Sequence, residues 1–414
     1  MLKKYNPKII AVTGSVGKTS TKDAIFTVMS AGHYIRKSEK SFNSEIGVPL
    51  TILGCNNAWS NPFAWLSVFA RGLSLIFTKN NYPDWLVLEV GADRPGDIES
   101  LSAWLRPDVS VVTRFGKTPV HVEFFKNREE LVREKSFLVK ALKREGVAVL
   151  NYDDEDIRAF GELTESNKTF FGFDDGATVK ASHYKVLTEK TGKGKMPVGI
   201  SFAVDVAGVS ETIELFGLLG KHHTYPALAA IAVGHTQGVA VVDMKLSLQS
   251  HIPPRGRMRL IDGLKGSLII DDTYNSSPVA SLEALHTLAS LKEAKRKIAV
   301  LGDMMELGLG SAEAHREIGA LAYTACEILV TVGVRSRKIA ESAQDAGMSE
   351  KNIFQFDDSL EAGSFIQNLI AEGDVILVKG SQSMRMERTV KEIMLKPEQA
   401  GELLVRQEGE WLSR

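Results

Sequence analysis

The residues best suited to chemistry lie near the start of the chain, in a glycine-containing loop. Residues 8–13 (KIIAVT) are apolar and β-branched, which predicts a buried strand, and a helical pattern begins a few residues later. The loop between them consists of Gly14, Ser15, Val16, Gly17, Lys18, Thr19 and Ser20, the short TGxxGKT form of the phosphate-binding motif. Glycines let backbone N–H groups face phosphate oxygens, and the helix N-terminus adds a positive dipole. The loop therefore predicts an ATP site, with Lys18 at the β- and γ-phosphates and the Thr19 hydroxyl on Mg²⁺.

Short apolar runs alternate with helical patterns on both sides of the middle of the chain. The runs are 8–13, 85–90, 109–113 and 147–150 in the first part, and 267–270, 297–301, 328–332 and 375–379 in the second. Such runs are typical of parallel sheets covered on both faces, so we predict an α/β fold. Residues 168–216 alternate instead, which predicts a small antiparallel β subdomain. The Pro253–Pro254 pair favours a boundary near 252, and hence domains 1–252 and 253–414.

Composition excludes several classes of protein. Lys+Arg is 50 and Asp+Glu is 51, so no basic excess indicates a nucleic-acid partner. Hydrophobic residues at 44% and charged residues at 24% exclude a disordered chain. Cys55 and Cys326 have neither metal-site nor disulfide spacing, and no secretory signal opens the chain, so we expect a soluble, cytoplasmic protein. We also expect it to be a monomer and to act on a small-molecule or peptide substrate.

The segment Pro62–Phe77 (PFAWLSVFARGLSLIF) is the longest apolar stretch. It is shorter than the roughly 20 residues of a membrane span and contains Arg71, which predicts a helix that does not cross a membrane. Trp65, Phe69, Leu73 and Phe77 recur every four residues and share a face. We expect that face to pack into its own domain; peripheral contact with a membrane or with another protein are the alternatives.

Beyond the loop, the sequence resembles the Mur ligases, ATP-dependent amide-forming enzymes of peptidoglycan assembly. The motifs that carry the resemblance are FNSEIGVPLTIL at 42–53, LEVGADRPGDI at 88–98, IIDDTYNSSPVASLEAL at 269–285, LGDMMELG at 301–308 and LVKGSQSMRME at 377–387. They follow the family order over nearly the whole chain. The resemblance implies a P-loop central domain followed by a Rossmann-like C-terminal domain. It also implies that a carboxylate is activated by ATP as an acyl phosphate and then joined to an amine, with D-alanyl-D-alanine as the expected amine in peptidoglycan precursor synthesis.

The resemblance also implies roles for individual residues. The implied metal ligands are Thr19, Glu89, His121 and Lys135, and Lys135 matches a family lysine that can be carbamylated. The implied catalytic groups are Lys18, His121, Lys135 and Arg257. Outside the loop, the nucleotide contacts are His222, Arg257, Asp272, Tyr274 and Asn275, with Asp271 as the alternative if the register slips by one residue. The implied substrate contacts are Asn43, Glu306, His315, Lys379 and Ser381.

Two features depart from the family pattern. The family motif GxHNxxN reads here Gly220-Lys221-His222-His223-Thr224-Tyr225-Pro226, so His223 and Pro226 replace two asparagines. The loop also begins at residue 14, which predicts that the family's N-terminal UDP-binding domain is lacking. Two alternatives therefore stay open: a Mur-like ligase that acts on a carboxylate outside peptidoglycan, and a Mur-fold binding protein without turnover.

Overall fold

The computed structural model describes residues 1–39, 42–59, 61–115, 125–191 and 194–412. The chain forms two compact units. The first contains Met1–Tyr184, Phe202–Glu214 and His223–His251, and the second contains Lys185–Ser201, Leu215–His222 and Ile252–Arg414.

The first sheet has nine strands in the order β2-β3-β1-β4-β5-β6-β7-β8-β9. The strands are β1 (Lys8–Thr13), β2 (Ile35–Lys37), β3 (Trp85–Glu89), β4 (Val109–Val112), β5 (Val147–Asn151), β6 (Asn167–Gly172), β7 (Val179–Thr191), β8 (Gly194–Val206) and β9 (Val209–Phe216). The pairs from β2 to β7 are parallel. The central strands β3 and β4 are wholly buried, which explains why their sequences are apolar apart from Glu89 and Ser110.

Within the residues that the structure describes, nine α-helices accompany these strands. They are α1 (Leu2–Tyr5), α2 (Lys18–Met29), α3 (Gly47–Leu53), α4 (Pro62–Phe77), α5 (Asp97–Leu105), α6 (Arg128–Lys140), α7 (Glu155–Ala159), α8 (Thr224–Thr236) and α9 (Val241–Gln249). α4 begins where its sequence predicts: the Asn61 side chain accepts hydrogen bonds from the N–H groups of Phe63 and Ala64, and Pro62 occupies the first turn.

The second unit contains a six-stranded sheet in the order β10-β11-β15-β12-β13-β14. Its strands are β10 (Arg259–Asp262), β11 (Leu268–Asp272), β12 (Arg296–Gly302), β13 (Ile328–Val332), β14 (Ile353–Phe356) and β15 (Asp374–Lys379). Its helices are α10 (Pro278–Ser290), α11 (Ser311–Ala325), α12 (Arg337–Asp345), α13 (Ser359–Leu369), α14 (Glu387–Ile393), α15 (Ala400–Leu403) and α16 (Gly409–Leu412). Only β10 runs antiparallel to its neighbour.

The predicted α/β fold is confirmed, and one detail differs from the sequence-based expectation. The alternating segment does not form a separate sheet, because β6 extends the first sheet in parallel and β7–β9 follow it in the strand order. Ala207 and Gly208 both have positive φ and join β8 to β9 in a two-residue hairpin.

The expectation that α4 buries its apolar face in its own domain is wrong. Only Val68 and Leu75 of this helix are buried, whereas Phe69, Leu73 and Phe77 are exposed. In the described part of the chain, no helix is long and apolar enough to cross a membrane.

Candidate active site

The P-loop, residues 14–20, joins β1 to α2 and requires glycine at its first position. Gly14 has φ 144°, and a Cβ atom there would lie 2.0 Å from Thr113 Oγ1. Gly17, with φ 84°, precedes α2 and has no side chain that could cap the first N–H groups of the helix. The carboxyl end of β1 therefore carries a tight loop followed by a helix N-terminus, the arrangement that binds phosphate.

The end of β4 holds the P-loop in place. The N–H groups of Ser15 and Val16 donate to the Arg114 carbonyl over 2.8 and 3.2 Å, and Thr113 Oγ1 donates to the Val16 carbonyl over 2.7 Å. Lys18 Nζ reaches back to the Gly14 carbonyl at 3.0 Å. The lysine ammonium is thus folded over the loop, at the position where it can meet a phosphate.

Glu89 lies beside the P-loop at the end of β3. Because β3 is parallel to β1, Glu89 stands level with Val12. Its Oε2 accepts a hydrogen bond from Thr19 Oγ1 at 2.9 Å, and its Oε1 accepts one from Asn43 Nδ2 at 3.2 Å. The structure therefore brings Thr19 and Glu89 together as predicted from the sequence. It also places Asn43, predicted as a substrate contact, against the Glu89 carboxylate.

The Thr19 hydroxyl and the Glu89 carboxylate suit Mg²⁺ as a donor set. Mg²⁺ prefers oxygen ligands and is held in nucleotide sites by one or two protein oxygens together with phosphate oxygens and water. Among the residues that the structure describes, no group of three or more His, Cys, Asp or Glu side chains could hold a metal without such help. A metal here would take further ligands from the nucleotide and from water.

Lys135 is buried in α6 and is therefore not a surface lysine. Burial and the nearby charge of Lys18 lower its pKa to about 7, while Glu134 and Asp93 act in the opposite direction. Near neutral pH a large share of this side chain is therefore an uncharged amine, the form that reacts with carbon dioxide to give a carbamate. The predicted carbamylation of Lys135 has the protonation state that it requires.

His121 lies outside the described residues, within the gap from 116 to 124. Its predicted roles as a metal ligand and a catalytic group stay predictions.

In the second unit, Asp272 and Lys379 lie at the ends of the paired strands β11 and β15. Lys379 Nζ donates to Asp272 Oδ2 at 2.6 Å and to the Asn275 carbonyl at 2.9 Å. Asp272 Oδ1 also accepts from the Met258 N–H. The adjacent Asp271, the alternative in the sequence analysis, is fully buried, and burial raises its pKa to about 6. Of the two, only Asp272 lies against Lys379 at the strand ends.

Arg257 stacks on Tyr274. Its guanidinium carbon lies 4.1 Å from the centre of the Tyr274 ring, within the range of a cation–π contact. Arg406 holds the same loop from beneath, because its guanidinium donates to the carbonyls of Thr273 and Tyr274 and to Glu387 Oε2. Two predicted nucleotide contacts, Arg257 and Tyr274, are thus adjacent.

Three predicted substrate contacts of the second unit lie after the ends of β12 and β15: Glu306 follows β12, Ser381 follows β15, and His315 lies in the first half of α11. Ser381 Oγ accepts from the Met305 N–H at 2.9 Å, next to the exposed Glu306, which has φ 61°. His315 is fully buried: its Nε2 accepts from the Met304 N–H at 3.0 Å and its Nδ1 lies 2.6 Å from the Ser311 carbonyl. In this structure His315 shapes the loop and does not present its ring at the surface.

The segment that departs from the family motif has replacement contacts. Pro226 lies in the first turn of α8, where its missing N–H costs no helical hydrogen bond. The Tyr225 hydroxyl donates to Asp153 Oδ2 at 2.9 Å, and His222 Nδ1 lies 3.7 Å from Glu283 Oε2. A tyrosine–aspartate pair thus occupies the region where the family has asparagines.

The sequence motifs did not indicate several residues that support the site. Glu134 accepts from the N–H groups of Gly96, Ile98 and Glu99, and so fixes the start of α5 beside Lys135. Ser38 Oγ accepts from the Glu89 N–H. Arg406 was missed because nothing in a single sequence marks it as the partner of a loop more than a hundred residues earlier.

Comparisons with known proteins agree with this architecture. Residues 70–234 match the Mur ligase middle domain, and residues 256–382 match the Mur ligase, glutamate ligase domain. The chain is 30% identical over 405 residues to the UDP-N-acetylmuramoyl-tripeptide--D-alanyl-D-alanine ligase of Mycobacterium leprae, and the match covers 91% of this chain and 71% of that protein. The chain belongs to the Mur ligase family.

Other relatives support the same assignment. The ligase of the same name from Bacillus subtilis is 28% identical over 398 residues, which covers 96% of this Mur ligase and 78% of that protein. Among solved structures, MurF from Acinetobacter baumannii has a TM-score of 0.76 at 26% identity, over 94% of this chain and 77% of that one. MurF from Thermotoga maritima in complex with ADP has a TM-score of 0.75 at 26% identity, over 94% of this chain and 80% of that one. The resemblance drawn from the motifs is confirmed.

Proposed function

We propose that this Mur ligase joins D-alanyl-D-alanine to the terminal carboxylate of a UDP-N-acetylmuramoyl tripeptide, with conversion of ATP to ADP and phosphate. The names of its relatives describe the joining of these two compounds for those proteins. The observation in this chain that carries the proposal is the P-loop, where Lys18 and the paired Thr19 and Glu89 lie together. This is a site for phosphoryl transfer.

The reaction has two balanced steps. An oxygen of the substrate carboxylate attacks the γ-phosphorus of ATP, the bond to the β–γ bridging oxygen breaks, and ADP leaves an acyl phosphate. The amine of D-alanyl-D-alanine then attacks the acyl carbon, phosphate leaves with the bonding electron pair, and the amine loses a proton. Catalysis in such reactions rests on holding the reactants together and neutralising developing charge.

The chain supplies the groups for both tasks. Lys18 is assigned to the β- and γ-phosphates, and Thr19 with Glu89 to Mg²⁺, which when bound would neutralise phosphate charge. Lys135, as a carbamate, is assigned to a further metal contact together with His121. In the second unit, five residues are assigned to the nucleotide: His222, Arg257, Asp272, Tyr274 and Asn275. Asn43, Glu306, His315, Lys379 and Ser381 are assigned to the substrate, directly or through the loops they hold.

We also propose that the two domains meet at residue 252 and that the protein is a monomer. We also place the reaction in the cytoplasm. Both cysteines, Cys55 and Cys326, are free thiols, which suits a reducing compartment.

Phosphate release with a substrate panel tests the proposal. Purified protein with ATP and Mg²⁺ should release phosphate only when UDP-N-acetylmuramoyl tripeptide and D-alanyl-D-alanine are both present. Lys18→Ala should abolish this release, since the loss of one transition-state contact costs about 3–4 kcal/mol. The matched control is Lys140→Ala, at an exposed lysine of α6. Release with free acyl peptides but not with the UDP-linked tripeptide would instead indicate a ligase for another carboxylate.

A further inference from the structure

α4 presents a continuous apolar surface to solvent. We call Phe63, Leu66, Phe69, Leu73, Ile76 and Phe77 the α4 face; each is between 51% and 79% exposed. The first five are three or four residues apart in order, and Phe77 lies four residues after Leu73, so all six lie on one side of the helix. Single exposed apolar side chains are ordinary, but a stripe of six along one helix marks an interaction surface.

The helix that carries this face is held firmly on its domain. Val68 and Leu75 are buried beneath it. Burial raises the pKa of the nearby Cys55 thiol, and the charge of Arg71 on α4 partly opposes that rise. At the carboxyl end, Lys4 Nζ donates to the carbonyls of Leu75, Ile76 and Thr78. The Tyr5 hydroxyl also donates to the Leu75 carbonyl, at 2.9 Å. The α4 face is therefore presented outward by a helix that is anchored along its buried side and at its carboxyl end.

The charged residues in segment 46–83, which contains α4, are all basic. The sequence contains no Asp or Glu from residue 46 to residue 83. Lys79 is exposed just after α4, and Lys3 and Lys4 are exposed on α1, whose Lys4 contacts the last turn of α4. A cationic border around an apolar stripe complements an anionic lipid surface, because acyl chains accept the apolar side chains while phosphates attract the lysines.

We propose that the α4 face docks this protein onto an anionic membrane surface, with the helix lying parallel to the bilayer. The 16 residues of α4 span about 24 Å, less than the roughly 30 Å of a hydrocarbon core, so the helix lies on the bilayer and does not cross it. Trp59, 62% exposed and hydrogen-bonded through its carbonyl to Trp65 Nε1, adds an aromatic residue suited to the headgroup region. This inference is independent of the substrate assigned above.

Cosedimentation of the full chain with vesicles tests the proposal. The protein should bind vesicles of phosphatidylcholine mixed with phosphatidylglycerol. It should bind vesicles of phosphatidylcholine alone much more weakly. The double variant Phe69→Ser and Leu73→Ser should weaken binding by roughly a hundredfold or more, since each buried side chain contributes about tenfold. The matched control replaces Val242 and Leu246, two exposed apolar residues of α9, by serine and should bind like the parent protein.

A charge variant tests the lipid class without altering the helix. Lys79→Glu should weaken binding to anionic vesicles by about fivefold or more and leave binding to neutral vesicles unchanged. Added salt should reduce binding to the anionic vesicles. In the parent protein, Trp fluorescence should shift to the blue on anionic vesicles, and Trp59→Phe should diminish that shift.

Three results would overturn the proposal. The first is absence of binding to anionic vesicles. The second is equal loss of binding in the α4 and α9 double variants. The third is self-association without lipid: the molecular mass of the parent protein would rise with concentration, and that of the α4 double variant would not. This result would assign the α4 face to a second copy of the chain. Phosphate release without vesicles should be the same in the parent and the α4 variant, so failure of this proposal is distinguishable from failure of the assigned reaction.

Discussion

The Thr19 hydroxyl donates a 2.9 Å hydrogen bond to Glu89 Oε2, across 70 residues of sequence. The contact follows from the parallel pairing of β1 with β3, which sets Glu89 level with Val12 at the start of the P-loop. Parallel strands end at one edge of a sheet, and ligands of open α/β sheets bind at that edge. The pair therefore marks where the phosphates and Mg²⁺ are expected.

Glu89→Gln should remove the metal-binding charge while it preserves the size of the side chain and an acceptor for Thr19. We expect phosphate release to fall by roughly a hundred- to a thousandfold, because one preorganised electrostatic contact contributes about 3–4 kcal/mol to the transition state. Stabilisation of the protein by ATP with Mg²⁺ in thermal unfolding should shrink as well. Glu45→Gln, at an exposed carboxylate, is the control. Release within threefold of the parent rate would contradict the assignment of Glu89.

Gly14→Ala should distort the P-loop more than Gly17→Ala does. A methyl group at residue 14 would overlap Thr113 Oγ1, which lies 2.0 Å from the Cβ position, whereas nothing lies within 4 Å of the Cβ position at residue 17. Gly17→Ala therefore carries only the cost of a positive φ, about 1–2 kcal/mol. Gly14→Ala also displaces the Thr113 side chain and so breaks the hydrogen bond from Thr113 Oγ1 to the Val16 carbonyl. Thermal unfolding should rank Gly14→Ala as the less stable variant. Equal melting temperatures would show that the loop relaxes freely.

The sequence predicted the strands that carry the site because their apolar runs are buried on both faces. Residues 8–13 and 328–332 coincide with β1 and β13, and 109–113 differs from β4 by one residue. The face of α4 was assigned wrongly because helical periodicity shows that apolar residues share a side and says nothing about what covers it. The positions of Glu134 and Arg406 depend on contacts between distant segments, which local patterns do not encode.

Asp271 should make the stability of the second unit depend on pH. Burial raises its pKa from 3.8 to about 6 in the folded protein. Between these values the folded state holds a proton that the unfolded state has lost, so the free energy of unfolding falls as pH rises from about 4 to about 6 and then levels off. Asp271→Asn cannot titrate and should lack this loss. Urea unfolding at a series of pH values measures the free energy of unfolding of both proteins, and the difference between parent and variant should change between pH 4 and pH 6. A difference that stays constant would contradict a raised pKa at Asp271.

The ion pair of Lys379 with Asp272 should be costly to break from one side. Both side chains are nearly buried and 2.6 Å apart. Lys379→Met should therefore destabilise β11 and β15 by about 3–5 kcal/mol, because it leaves the Asp272 carboxylate without its counter-charge. Adding Asp272→Asn should recover much of that loss, since the amide oxygen can still accept from the Met258 N–H.

Because the chain has two compact units, hydrogen exchange measured on peptides from 268–272 and 374–379 is the suitable measurement. Lys338→Met, in an exposed pair with Glu341, is the control and should change exchange little. If the double variant exchanged faster than Lys379→Met alone, the loss would come from packing of the lysine stem and not from the unpaired charge.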